Sequence, residues 1–250
     1  MAFTAASCLK APRSGLEGRG IRRAADPIAR RPMKPEVILH SFGYLTQAAG
    51  TTVGVSLAGI VFGFVIGTAV CAARVSRRPW LKRLGGVYIS VFRGVPLLVQ
   101  LLFIYYFLAE YGLDVPAIVA AVGALALSSA AYQAEILRGA MNAVPRGQGE
   151  AATALGFTGL EIWRRVLMPQ ALRISTPPLI NEFILLIKAS SLVSVVGIAE
   201  LTRVSMNIAT QTYRPLEAYV GGGLFYLAIN LCLAALGALA ERRLAGAGAR

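Results

Sequence analysis

One histidine, His40, and three cysteines, Cys8, Cys71 and Cys232, are the soft ligands of this 250-residue chain, and no two stand at metal-ligand spacing. Cys71 and Cys232 lie in apolar runs, where a thiol packs as a small hydrophobe. A phosphate-cradling loop needs Gly-x-x-x-x-Gly-Lys-Ser/Thr, and no Gly-Lys pair occurs anywhere in the chain. No metal, no cofactor and no enzymatic reaction of this chain is therefore expected. The remaining reactive groups sit in or beside apolar stretches: Glu135, Glu182 and Lys188, with Gln100 and Asn181 as uncharged company. Ionisable groups at membrane depth are costly and face a path, a partner or a pair. Gln100, Asn181, Glu182 and Lys188 are the candidates for lining a solute path. Anchoring at the membrane interface or structural pairing is the competing reading. Glu182 and Lys188 are six residues apart, so one helix face does not carry both. Arg93 is read as a cytoplasmic anchor.

The elements that must position these groups are membrane helices. Hydrophobic residues make up 56% of the chain and charged residues only 15%, with a mean hydropathy of +0.62; soluble domains carry about a quarter charged residues. The fold class expected is an all-α integral membrane protein with about five transmembrane helices. Val53 to Ala73 is uncharged over 21 residues, long enough at about 1.5 Å per residue to cross the hydrocarbon core. Further spans are expected over about 87–108, 116–137, 177–198 and 216–240. Gly59, Gly63 and Gly67 recur every fourth residue in the first span and put small surfaces on one helix face. Packing within one protomer is preferred to dimerisation as their role. Residues 199–215 read as amphipathic and outside the membrane core, as an external helix or a solvated linker.

Charge sets the orientation. The gaps 74–83 and 138–173 hold five basic residues each and the tail from 241 holds three, whereas 109–115 holds none and 199–215 two. The positive-inside rule puts the first group in the cytoplasm, giving a multi-pass membrane protein with its N-terminus outside and its C-terminus inside. Residues 1–34 are expected to be a basic, disordered extension or to reflect a start at Met33, with 35–250 as a single transmembrane domain. Eight of the 25 basic residues lie in those first 34 positions, which conflicts with an external N-terminus. The net charge of +13 follows bilayer topology, and without an aromatic-interleaved basic patch no nucleic-acid partner is expected.

The 138–173 segment is too long for a plain connection and should carry structure of its own. Glu150–Leu155 favours helix, Gly156 is a stop, and a second short helix is expected to begin near Thr158. Ala151, Ala152 and Leu155 offer a small, close-packing surface. An ordinary amphipathic loop lying on the membrane is the alternative.

Here the sequence resembles the permease subunits of ABC importers, whose EAA loop reads Glu-Ala-Ala, three residues, Gly, nine residues, Ile-x-Leu-Pro. Glu150, Ala151, Ala152, Gly156 and Pro169 keep those spacings, with Val166 for the usual Ile and Met168 for the usual Leu. Phe92-Arg93-Gly94-Val95-Pro96 through Gln100, Glu135-Ile136-Leu137-Arg138-Gly139-Ala140, and Lys188 with Ser190-Ser191-Leu192 narrow the resemblance to polar amino-acid permeases of the histidine/glutamine type. Ala189 stands where that family often has Asp, which leaves the ion-pair partner of Lys188 in doubt. The resemblance covers roughly residues 47–243. It implies a coupling helix that docks on a separate ABC ATPase dimer through Glu150, Ala151, Ala152, Leu155, Gly156 and Pro169. It implies further a second permease subunit, the same or related, and an extracytoplasmic solute-binding protein. The function expected is the translocation path for a polar amino acid or related compound. The alternatives are a permease for another small solute, such as an opine or compatible solute, or an ion channel subunit. A channel needs a pore ring or filter, an intramembrane enzyme needs a nucleophile with its base, and a secondary transporter needs inverted repeats; none of these is evident.

Overall fold

Three glycines set the distance between the two central helices. In a computed structural model, which describes residues 34–247, α1 (Pro35–His40) leads into α2 (Phe42–Val75), a helix of 34 residues. Gly59, Gly63 and Gly67 of α2 face α5 (Ala117–Ala143). A Cβ on Gly63 would stand 2.9 Å from Gln133 Nε2, and one on Gly67 2.9 Å from the Ala130 carbonyl oxygen. Only a missing side chain permits that approach, so the glycine stripe is used for packing inside the chain. α5 answers with its own small residues: Ala121, Ala124, Ala126, Ala130, Ala131 and Ala134 are buried. Residues 1–34, expected to be a disordered extension or to precede the true start, lie outside the described residues apart from Lys34.

The second apolar run, expected as one span over 87–108, is not one continuous helix. It divides into α3 (Pro79–Gly94) and α4 (Leu97–Glu110), bent by 103°. The cause is Pro96. It lacks an N–H, and it drives the preceding residue out of the helical region; Val95 is extended at φ −94°, ψ 131°. The carbonyls freed at the end of α3 are met by the Gln100 amide, whose Nε2 donates to Phe92 O at 2.9 Å and Val95 O at 2.7 Å.

α6 (Arg146–Ala154) and the one-turn α7 (Gly159–Glu161) follow, then six residues of π-helix, Ile162–Leu167, run without a break into α8 (Met168–Ala189). Sequence alone put the start of this span at Pro177. The helix instead carries Pro177 and Pro178 inside it. Proline removes the hydrogen bond to the carbonyl four residues back, and the carbonyls affected belong to Arg173 and Ile174, both exposed. A 3-10 stretch, Ser190–Val196, ends at Gly197 in the left-handed region. α9 (Leu201–Thr212) and α10 (Pro215–Ala247) complete the described chain. No strand occurs among the described residues.

Four helical stretches are long and apolar enough to cross a membrane, and five if α3 and α4 count as one bent span. Residues 199–215 are less peripheral than expected. Leu201, Ser205 and Ile208 of α9 are buried against α2 and α10. Glu200 is fully buried as the N-cap of α9, accepting from the Thr202 and Arg203 amides at 2.9 and 2.8 Å and from Tyr226 Oη at 2.7 Å.

Candidate functional site

Two features of the fold bear on function: a charged cavity at the α3–α4 break, and the segment between α5 and α8. The cavity measures about 510 Å³. Its walls come from the Phe92–Leu97 turn, from Ser128 and Tyr132 of α5, and from Glu182, Leu185 and Ala189 of α8. The break is what makes it. A continuous helix would fill this space, whereas the extended Val95–Pro96 pair turns the chain aside and leaves Arg93 on the rim.

Glu182 is buried, yet it lines this cavity. A chain of hydrogen bonds holds it. Gln133 Nε2 donates to Ile60 O at 3.2 Å and to Ser129 Oγ at 2.9 Å, and Ser129 Oγ donates to Glu182 Oε1 at 3.0 Å. The glycine stripe is the precondition, because Gln133 reaches the α2 backbone only where the helices nearly touch at Gly63. Ser129 occupies one carboxylate oxygen of Glu182; the other has no hydrogen bond among the described residues. In the same cavity lining the Arg93 guanidinium lies over the Tyr132 ring, 5.1 Å from its centroid, a favourable cation–π arrangement. The cavity therefore brings a guanidinium and a carboxyl group together on apolar walls.

Of the four residues read as path candidates, one reaches this cavity. Glu182 lines it, while Gln100 is buried behind the break with its amide nitrogen bonded to Phe92 and Val95. Asn181 and Lys188 are exposed on another face of α8. Arg93, read from sequence as a cytoplasmic anchor, stands in the last turn of α3 and lines the cavity. Ser128, Ser129, Tyr132 and Gln133 were missed. Their signal was a polar stripe at i, i+1, i+4 and i+5 on an alanine-rich helix, which marks one helix face.

The second feature is local and regular. α6 ends in a Schellman motif: Phe157 N–H donates to Ala152 O at 3.1 Å, and Gly156 N–H to Thr153 O at 3.0 Å. Gly156 has φ +82°, a conformation that costs a residue with a Cβ about 1–2 kcal/mol. Thr158 then caps α7 in a capping box with Glu161, the Thr158 N–H donating to Glu161 Oε2 at 3.0 Å. The short helix expected before Gly156 is present, while the one expected to begin near Thr158 is the first turn of the long helical stretch that continues through the π segment into α8. Ala152 is buried within the chain, whereas Glu150, Ala151 and Leu155 are exposed, Leu155 at 78%. Pro169 explains the π-helix. It has no N–H for Arg165 O, and the ladder shifts register so that Met168 N–H reaches Trp163 O, five residues back.

The chain matches the family described as binding-protein-dependent transport system inner membrane component over residues 44–246. It is 38% identical over 219 residues to the octopine transport system permease protein OccM of Rhizobium meliloti, covering 84% of this chain and 89% of that protein. It is 39% identical over 202 residues to the glutamine transport system permease protein GlnP of Escherichia coli K12, covering 80% of this chain and 92% of that one. A crystal structure of an amino acid ABC transporter with histidines superimposes with a TM-score of 0.79 at 37% identity, over 85% of this chain and 100% of the other. With its bent second span, its glycine-packed helix pair and the Glu150–Pro169 segment, this chain belongs to the family of binding-protein-dependent transport system inner membrane components.

Proposed function

We propose that this chain forms the translocation path of an ABC importer for a polar amino acid or an opine. The observation that carries the reading is the cavity that Arg93 and Glu182 both line. An α-amino acid presents a carboxylate and an ammonium a few ångströms apart. The Arg93 guanidinium takes the carboxylate by a charge-assisted pair, and the free oxygen of Glu182 takes the ammonium. Phe92, Leu185 and Tyr132 receive the side chain. That permease relatives are named for glutamine and octopine supports the class. Asn181 and Lys188, on another face of α8, meet the path across a second permease subunit. Gln100 serves the path indirectly by holding the break open.

Coupling runs through residues 150–169. Glu150, Ala151 and Leu155 form the face offered to a separate ATPase dimer, with Ala152 seating α6 on its own chain. Gly156 fixes the turn, and Pro169 sets the π register that links the turn to α8. The charge distribution supports a cytoplasmic position for this segment and for the C-terminus, with the N-terminus outside, in a bacterial inner membrane. An extracytoplasmic solute-binding protein delivers the solute.

The test is uptake of labelled L-glutamine, L-arginine or octopine by proteoliposomes holding this chain, its ATPase and its binding protein. ATP inside the vesicles is expected to drive accumulation of at least one solute above the bath concentration. Glu182→Gln is expected to lower uptake about tenfold or more by removing the charge partner of the ammonium. Equal uptake with and without ATP contradicts the reading.

A further inference from the structure

A second charged basin lies beside the first and shares one residue with it. It measures about 510 Å³ and is lined by Arg74 at the end of α2, Gly86, Ser90 and Arg93 of α3, and Glu135 of α5. Arg93 lines both cavities. Glu135 is engaged elsewhere. Its two carboxylate oxygens accept from Arg138 Nε at 3.0 Å and Nη2 at 2.7 Å. Arg74 is only loosely held: Nη1 donates to Lys82 O at 3.2 Å, while Nε has no hydrogen bond and lies 4.0 Å from Glu135 Oε1. The basin thus carries two guanidinium groups, and the one carboxylate that lines it already serves a third. Gly85 and Gly86 leave the room: a Cβ at either would stand 3.0–3.2 Å from the Arg74 side chain. The basin sits at the basic 74–83 end of the bundle.

We propose that this basin is a second subsite for the same zwitterionic solute on its way to the cytoplasm, and that Arg93 hands the solute carboxylate from the first cavity to Arg74. The inference rests on the transport reading above. The first cavity pairs Arg93 with a free carboxylate oxygen on Glu182 and so holds both ends of the solute. The second offers cations whose carboxylate is occupied, so it holds the solute by one end. A site gripping one end is weaker than a site gripping two, and that gradient favours release. Arg93 needs only to swing between the two basins that it already borders.

The experiment uses the full complex with Ser90→Cys as a probe, in a background of Cys8→Ser, Cys71→Ala and Cys232→Ser. Ser90 lines the basin and is exposed. Two impermeant methanethiosulfonates of similar size are compared, one an anionic sulfonate and one a cationic ammonium. In inside-out vesicles the anionic reagent is expected to label faster, by about three- to tenfold after normalising to a free thiol. Arg74→Gln and Arg93→Gln, each alone, are expected to abolish that preference. A solute that the wild-type complex imports is expected to slow the labelling. Three results overturn the proposal: labelling by lipid-soluble N-ethylmaleimide but by neither charged reagent, which means a lipid-covered basin; labelling without charge preference; or no protection by an imported solute. Reagent access and charge preference do not depend on which solute is carried, so failure of the uptake assay and failure of the basin are told apart.

Discussion

The glycine stripe of α2 makes the sharpest stability prediction. Replacing glycine by alanine inside a helix gains about 0.5–1 kcal/mol from backbone entropy. At Gly54 nothing lies within 4 Å of the new Cβ, so that gain stands alone. At Gly67 the Cβ would meet Ala130 O at 2.9 Å and Gln133 Cβ at 3.1 Å. Neither neighbour can yield, since one is backbone and the other sits at the root of a fully buried side chain. The helices must part, and overpacking of this kind costs about 1–3 kcal/mol. The two substitutions should therefore differ by about 1–3 kcal/mol although they are chemically identical. At about 2–4 °C per kcal/mol for a chain of this size, Gly54→Ala should hold or raise the melting temperature and Gly67→Ala should lower it. Cys71, one turn beyond Gly67 and fully buried, supplies the assay. With Cys8 and Cys232 changed to serine, a thiol-reactive dye reports unfolding in detergent through Cys71 alone. Equal melting temperatures for the two variants, or a rise for Gly67→Ala, would refute the close-packing argument.

Other expectations follow from single contacts. Glu200→Ala removes the α9 cap and the acceptor of Tyr226 Oη; a loss of about 1–3 kcal/mol should appear as a lower melting temperature in the same assay, and an unchanged value contradicts the role. Pro96→Ala restores an N–H at the α3–α4 break and should straighten it, closing the first cavity; uptake should fall while expression and folding persist, and normal uptake counts against a path at the break. Pro169→Ala allows Arg165 O an ordinary partner. Helical register measured by spin-label distances across 160–172 should then shorten from π to α, and an unaltered register rules out proline as its cause.

Much of the fold could be read from the sequence, because the bilayer imposes simple signals. Apolar runs marked four of the long helices, and the four-residue glycine interval marked the face that α2 turns to α5. The short helix before Gly156 followed from local propensity and from a residue free to adopt positive φ. The sites of failure share a cause. The second run was read as one span because hydropathy sums over residues, whereas the break depends on one imide, Pro96, and on the freedom it denies Val95. The span expected from about 177 begins earlier, because Pro177 and Pro178 sit inside the helix and the residues whose carbonyls they orphan, Arg173 and Ile174, are exposed. Glu182 was legible as a costly charge. Its companions Ser129 and Gln133 were not, because serine and glutamine in an apolar helix become a network only when α2 comes close enough at Gly63 to supply the Ile60 carbonyl. Arg93 was assigned to the interface by its place in the run, and only the bend turns it to the cavity.

The central claim is that residues 150–169 transmit ATP hydrolysis to the path. ATP-driven solute uptake by proteoliposomes, compared among wild type, Glu150→Lys and Gly156→Val, tests it most directly. Glu150→Lys reverses the charge on an exposed face, and Gly156→Val forces a β-branched residue into φ +82°; neither touches the cavity. Uptake is predicted to fall about tenfold or more in both, with the melting temperature of the membrane domain little changed for Glu150→Lys. Uptake at the wild-type rate in both variants would contradict the account.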